Sequence, residues 1–272
     1  MRSQIASALM IVALGLTSAS ADAETKPPAK KAAPKYASES KVVRDQGTLD
    51  ALDKMGAALR AKTDVNLRTT FTAEDVLMSG QKLQYGGSID LAGRRPNMLK
   101  VVLHMGTADR EIYYDGKTQT LASPSLGYYA SAAAPPTIRE FVANASKTMG
   151  IEIPLADLFM FGEDPTLTQR IISAFPAGQE TIGGQVCNHY AIRQQQIDWQ
   201  VWIRASGDAL PCKIVITEKD DPAMPQFSST YDWLSEPPPP AGAAYTYTPA
   251  SGANRITFGT IPASLPTKGD AK

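Results

Sequence analysis

In the run Val65-Asn66-Leu67-Arg68-Thr69-Thr70-Phe71, Val65, Leu67, Thr69 and Phe71 alternate with Asn66, Arg68 and Thr70. Successive side chains of a strand point to opposite faces, so a period of two puts one face against a core and the other in water. Two further sets keep the same period: Leu83, Tyr85, Gly87, Ile89 and Leu91, then Leu99, Val101, Leu103 and Met105. Turn residues separate them at Ser79-Gly80, from Gly93 to Asn97 and at Gly106. Asp115-Gly116, after Ile112-Tyr113-Tyr114, is a two-residue hairpin signal. Strands joined by tight turns are antiparallel. The stretch from about residue 64 to 130 therefore predicts one antiparallel sheet built from neighbouring hairpins.

The flanking segments change period. Leu49, Leu52, Met55 and Leu59 recur at spacings of three and four, with Asp50, Lys54 and Arg60 opposite them, which predicts an amphipathic helix over about 45–61. Pro135-Pro136 ends the sheet, and Thr137 with Glu140 forms a capping box. Ile138, Phe141, Val142, Ala145 and Met149 then repeat at helical spacing up to Gly150, a C-terminal cap residue. A third helix is predicted from Asp164 and Pro165, with Leu167, Ile171 and Ile172 as its buried stripe. Strands resume after Gly178. Val186, Asn188, Tyr190 and Ile192 form one, and Trp199, Val201 and Ile203 the next. Cys212–Lys219 and Phe227–Trp233 follow, with a short strand near Tyr245–Thr248. The fold class is α+β, mainly β: one curved antiparallel sheet covered by helices.

The N-terminus has the form of a secretory signal. Arg2 precedes an apolar run from Ile5 to Leu16, and Ala19-Ser20-Ala21 and Ala21-Asp22-Ala23 both fit the cleavage pattern. Residues 1–23 are thus expected to be removed and the rest delivered to the periplasm. Residues 24–44, rich in Ala, Pro and Lys, are expected to form a flexible tether. Residues 45–258 are expected to form a single domain and 259–272 a disordered tail. No cysteine near the cleavage site offers a lipid anchor, and no later run reaches spanning length, so no transmembrane anchor is expected after processing. The 27 basic and 27 acidic residues balance, which argues against a nucleic-acid partner. Cys187 and Cys212 are a disulfide candidate in an oxidising compartment. On next-but-one strands they would lie about 9–10 Å apart. A bulge or twist would have to close that gap, so the bonded and free states both stay open.

The sequence carries no phosphate loop, no G-x-S-x-G, no H-E-x-x-H and no C-x-x-C. His104 and His189, its two histidines, both sit among alternating strand residues. No catalytic residue, metal or cofactor is expected, and the chain is not expected to be an enzyme. Asp198-Trp199-Gln200-Val201-Trp202 sends its tryptophans to opposite faces, with Trp199 toward the core.

Cys187-Asn188-His189, Asp198-Trp199-Gln200-Val201-Trp202-Ile203 and Leu210-Pro211-Cys212-Lys213-Ile214-Val215-Ile216-Thr217 resemble the C-x-H, D-W-Q-x-W-I and L-P-x-K-x-V-I-T motifs of an uncharacterised family of predicted periplasmic proteins, domain of unknown function 2092. Tyr245-Thr246-Tyr247-Thr248-Pro249 and Gly252-Ala253 resemble its closing motif. That family is similar in turn to the LolA/LolB-like lipoprotein carriers, whose D-G-K-T hairpin Asp115-Gly116-Lys117-Thr118 resembles. The resemblance implies an antiparallel half-barrel covered by helices and an apolar or acyl-bearing ligand, a lipid or lipoprotein. Phe71, Tyr85, Leu99, Val101, Leu103, Trp199 and Val201 are the expected wall residues, with ordinary core packing as the competing reading of each. The alternative function is a non-enzymatic sensor or interaction module that recognises an envelope or outer-membrane protein.

Overall fold

Asp45 opens the first helix as its N-cap: its Oδ2 accepts from the Thr48 backbone N–H at 2.7 Å and from the Thr48 hydroxyl at 2.8 Å. Such a cap contributes about 1 kcal/mol. The computed structural model of the protein describes residues 43–106, 108–144 and 166–258. The signal, most of the tether, the tail, and the expectations for Ala145, Met149, Gly150, Asp164 and Pro165 lie outside those residues. Helix α1 covers Gln46–Ala61 and buries Leu52, Met55 and Leu59, the apolar face that its spacing predicts.

Twelve strands among the described residues form one curved, unclosed sheet. The first meander comprises β1 (Asp64–Val76), β2 (Lys82–Arg94), β3 (Met98–Met105), β4 (Ala108–Tyr114), β5 (Thr118–Ser123) and β6 (Tyr128–Ala133). Helix α2 (Ile138–Asn144) and the single helical turn α3 (Thr166–Gln169) follow. The second meander comprises β7 (Ser173–Ile182), β8 (Gln185–Arg193), β9 (Ile197–Arg204), β10 (Pro211–Glu218) and β11 (Gln226–Trp233). The strand order is β12-β6-β5-β4-β3-β2-β1-β11-β10-β9-β8-β7, with β12 at Asn254–Ile256. Antiparallel pairing of β1 with β11, from Leu67↔Trp233 to Ala73↔Phe227, joins the two meanders.

One sheet face carries the helices and is called the inner face. Val65, Leu67, Phe71, Ile89, Leu91, Leu99, Val101, Ile112 and Tyr114 form a core there with Ile138 and Phe141 of α2. The Phe141 ring stacks on Tyr114 at 4.4 Å, and the Tyr114 hydroxyl donates to the Pro135 carbonyl at 2.7 Å. Glu140 N–H donates to Thr137 Oγ1 at 3.2 Å, the first half of the expected capping box, while the Glu140 carboxylate accepts from the Thr137 hydroxyl at 2.9 Å. A second core forms where α1 packs Leu52, Met55 and Leu59 against Ile192, Trp199, Val201, Ile203 and Leu210.

Three local expectations are corrected. The strand expected after Gly178 already begins at Ser173, with Pro176 inside it and a bulge between Pro176 and Gly178. The sheet tolerates this because β7 is an edge strand, where a missing N–H breaks no ladder bond. Ile172 is 43% exposed while Ile171 is buried, because α3 ends at Gln169 and leaves both beyond the helix, where its spacing no longer sets their direction. The tyrosine–threonine alternation at 245–248 is not a strand. Ala243–Tyr245 forms a 3-10 turn, and β12 comes later and pairs parallel to β6.

The segment between β11 and β12 crosses the outer face as a strap. Asn66 Nδ2 donates to the Glu236 carbonyl at 3.0 Å and Arg94 Nε to that of Pro239 at 3.1 Å. Tyr245 is buried, and the Tyr247 ring lies 5.4 Å from that of Tyr113 and 5.3 Å from that of Tyr129.

Cys187 and Cys212 are joined by a disulfide with Cα atoms 6.6 Å apart, although β9 lies between their strands. The register shift between Pro211 and Lys213 leaves Cys212 out of the ladder, next to the end of β9, and this bulge closes the distance. Trp202 packs with both cysteines. The bridge closes a loop with a sequence separation of 25. We expect Cys187→Ser/Cys212→Ser to lower the unfolding free energy by about 3 kcal/mol, measured by urea denaturation against the oxidised protein.

Candidate functional site

Residues paired across the ladders share a face, so register alone assembles the inner surface. One row runs Ile112–Val101–Leu91–Leu67–Trp233, and another runs Tyr85–Ala73–Phe227–Ile216–Trp199–Ile192. All seven expected wall residues lie on this face, in two different surroundings. Leu99 and Val101 are fully buried in the first core and Val201 in the second, with Phe71 and Trp199 nearly so. Tyr85 and Leu103 are half-buried at the margin of the first core.

That margin is the candidate binding surface. Ala73, Tyr85, Leu103, Met105 and Phe227 are all half-buried and packed against the first core. They lead toward the β1–β2 hairpin, where Leu83 is 47% exposed. The Phe71 ring stacks near Phe227 with centroids 6.0 Å apart. Gly87 makes room for Phe71: a Cβ there would lie 3.0 Å from the ring and 2.1 Å from the His104 carbonyl oxygen. A glycine at such a point lets one backbone approach its neighbour closely. Met105, Ala73 and Phe227 were not among the expected wall residues. Met105 ends an alternating set and was legible, whereas the other two meet only through the β1–β11 register.

Most of the charged pairs lie on the outer face, although Arg110, opposite Leu103, and Asp75, opposite Leu83, share the inner one. His104 Nδ1 lies 3.2 Å from Asp109 Oδ1, and Arg68 Nε donates to Asp90 Oδ1 at 2.6 Å. Arg193 holds Asp198 through bonds of 2.9 and 2.7 Å, and Lys219 Nζ lies 3.1 Å from the same carboxylate. Burial alone would raise the Asp198 pKa, but the bonds from Arg193 and Lys219 outweigh it and hold it below the usual carboxylate value. His189 stacks on Trp202 at 3.9 Å and its Nε2 lies 2.9 Å from Gln200 Oε1, while Lys213 Nζ lies over the Trp202 ring, 4.7 Å from its centroid. Five strands separate the strands of His104 and His189, so the two do not converge. Among the described residues no group of three or more His, Cys, Asp or Glu could hold a metal ion.

The arrangement defines a class of protein: a helix-covered antiparallel sheet with a greasy inner face and a polar outer one. Residues 48–259 match the model of the family described as Predicted periplasmic protein (DUF2092), and the chain belongs to that family. It is thereby a periplasmic protein. No curated protein matches the chain significantly. Among solved structures it is similar to the lipoprotein LppX of Mycobacterium tuberculosis, at 13% identity and a TM-score of 0.46, covering 73% of this chain and 100% of that one. LprF of Mycobacterium bovis is similar at 12% identity and a TM-score of 0.37, over 74% and 100% of the two chains. The MucA/MucB complex of Pseudomonas aeruginosa includes a chain similar at 16% identity and a TM-score of 0.39, over 81% and 67%.

Two outcomes follow from these surroundings. Leu99→Ala removes a side chain that is 0% exposed and is expected to cost about 2–5 kcal/mol. Tyr85→Ala, at the half-buried margin, is expected to cost less than about 2 kcal/mol, and chemical denaturation of both variants checks the contrast. For His189, burial lowers the pKa below 6.5; Gln200 and Glu180 oppose the shift and Lys213 adds to it. The unfolded chain therefore takes up a proton that the native protein refuses. Native stability should fall as pH drops below about 6.5 and level off below the native pKa. His189→Phe, which keeps a ring on Trp202, should flatten that slope in melting curves recorded from about pH 7 to 5.

Proposed function

We propose that this chain is a periplasmic binding or carrier protein that holds an apolar or acyl-bearing molecule against the inner face of its sheet. After export, residues 1–23 are removed, residues 24–44 serve as a tether and residues 45–258 form the binding domain. The observation that carries the reading is the half-buried apolar margin of Ala73, Tyr85, Leu103, Met105 and Phe227, continuous with a dry core on one side and with exposed Leu83 on the other.

An acyl chain laid on such a surface gains about 0.8 kcal/mol for each methylene it buries. A chain of about fifteen methylenes gains on the order of 12 kcal/mol gross, enough to exceed the several kcal/mol that association costs. No charged anchor is needed for that energy. Phe71 and Phe227 give the floor a rigid aromatic pair, and Tyr85 sets an edge whose hydroxyl lies 3.4 Å from Asp75. Trp199 and Val201 continue the same face into the second core, and Leu99 and Val101 support it from below.

Native mass spectrometry of the protein purified from its own periplasm tests the reading, with the bound molecule extracted and the intact mass reporting the processed N-terminus. We expect a co-purified acyl lipid or acylated peptide, and binding of a fluorescent fatty acid that Leu103→Glu/Phe227→Glu weakens at least about tenfold. Protein that is consistently empty and binds no fatty acid overturns the proposal. If such protein reproducibly captures one envelope protein, the interaction-module function replaces it.

A further inference from the structure

Three buried side-chain polar atoms among the described residues have no hydrogen-bond partner: Thr69 Oγ1, Ser229 Oγ and Trp202 Nε1. Trp202 lies on the outer face by the disulfide. Thr69 and Ser229 are on the inner face, each only 1% exposed, and they are close neighbours. Thr69 pairs with Tyr231 and Ile89, while Ser229 pairs with Phe71 and Ile214. The two hydroxyls are therefore diagonal neighbours across the β1–β11 seam, with Cβ atoms about 7–8 Å apart or less.

Two unpartnered hydroxyls whose cross-strand neighbours are Tyr231, Ile89, Phe71 and Ile214 are costly. Each buried group without a partner costs about 1–3 kcal/mol in desolvation. Valine and alanine would fill the same positions without that cost, and buried polar groups in native proteins are nearly always satisfied. Both hydroxyls can donate one hydrogen bond, and a single oxygen acceptor lying over the seam can receive from both. The acceptor that fits a greasy surface is uncharged and flanked by hydrocarbon.

Resting on the carrier reading above, we infer that Thr69 and Ser229 form a two-donor site for the carbonyl oxygen of an acyl ester. Both hydroxyls are covered by the protein's own atoms in this structure, so the ester reaches them by displacing that cover; its carbonyl then seats between the hydroxyls, while the alkyl chain extends along Phe71 and Phe227 toward the half-buried margin. The site gives the carrier a register: hydrocarbon alone can slide along the face, but a carbonyl has one place to stop. Glycerolipids and diacylglyceryl-modified peptides share this linkage, so either can supply it.

The test compares the native mature protein with Thr69→Val/Ser229→Ala. The probes are dipalmitoylglycerol, a dipalmitoylglyceryl-cysteine peptide, and the di-O-hexadecyl ether analogue of each. Native protein is expected to bind at least one ester about tenfold more tightly than its ether, and the preferred ester identifies the source. The double variant is expected to lose that preference with ether affinity unchanged, while Thr69→Ser keeps it. Melting temperature should not fall in the double variant, since unpartnered hydroxyls are removed. If native and variant proteins both bind esters and ethers with one unchanged ratio, the hydroxyls hold at most a structural water and the inference fails while the carrier reading stands. If the native protein binds none of the four probes, both fail.

Discussion

The ladder between β1 and β11 is the constraint on which the architecture rests. Each meander is a local object, made of hairpins whose turns are written into the adjacent sequence. Only the β1–β11 pairing, between segments from opposite ends of the domain, makes them one sheet. Trp233 shows the result most directly. It packs against both hydrophobic cores, and its indole N–H donates to the Pro211 carbonyl at 2.8 Å. Without this seam β1 would keep an open edge, the two cores would separate, and Phe71 would lose Phe227. Closing so long a loop before any contact rewards it is slow. The domain therefore depends on a non-local pairing for the surface that defines it.

The division of labour between the faces follows from the same sheet. An antiparallel sheet with one covered face alternates apolar and polar residues, and the polar half here is tied up in cross-strand pairs such as Arg68 with Asp90 and Arg193 with Asp198. The strap from β11 to β12 adds a cover over the outer strands and buries Tyr245. The larger apolar surface among the described residues is accordingly on the inner face. At the margin beside the hairpin that face is only half-buried.

How far the sequence discloses all this depends on the range over which each feature is decided. The β1 strand is legible in Val65 to Phe71 because alternation is a local consequence of pleating. The start of α2 is legible in Thr137 and Glu140 because a cap needs only one turn of chain. The β1–β11 register is not local, so neither the meeting of Ala73 with Phe227 nor that of Thr69 with Ser229 can be read from either strand alone. Pro176 misleads because a proline marks a break unless the strand is known to be an edge, and edge status is a property of the finished sheet. Tyr245 and Tyr247 mislead for a related reason: their alternation serves to pin a strap across the strands and not to extend a ladder.

An open sheet ends in two rows of unpaired backbone groups, each a template for another chain. At one end β12 lies along β6 and takes up its free side. At the other, β7 is engaged early by Val43 and Arg44, then interrupted by Pro176 and its bulge. Neither rim is left long, flat and hydrogen-bond-ready. Each rim is thus a poor template for edge-to-edge pairing between copies of the molecule.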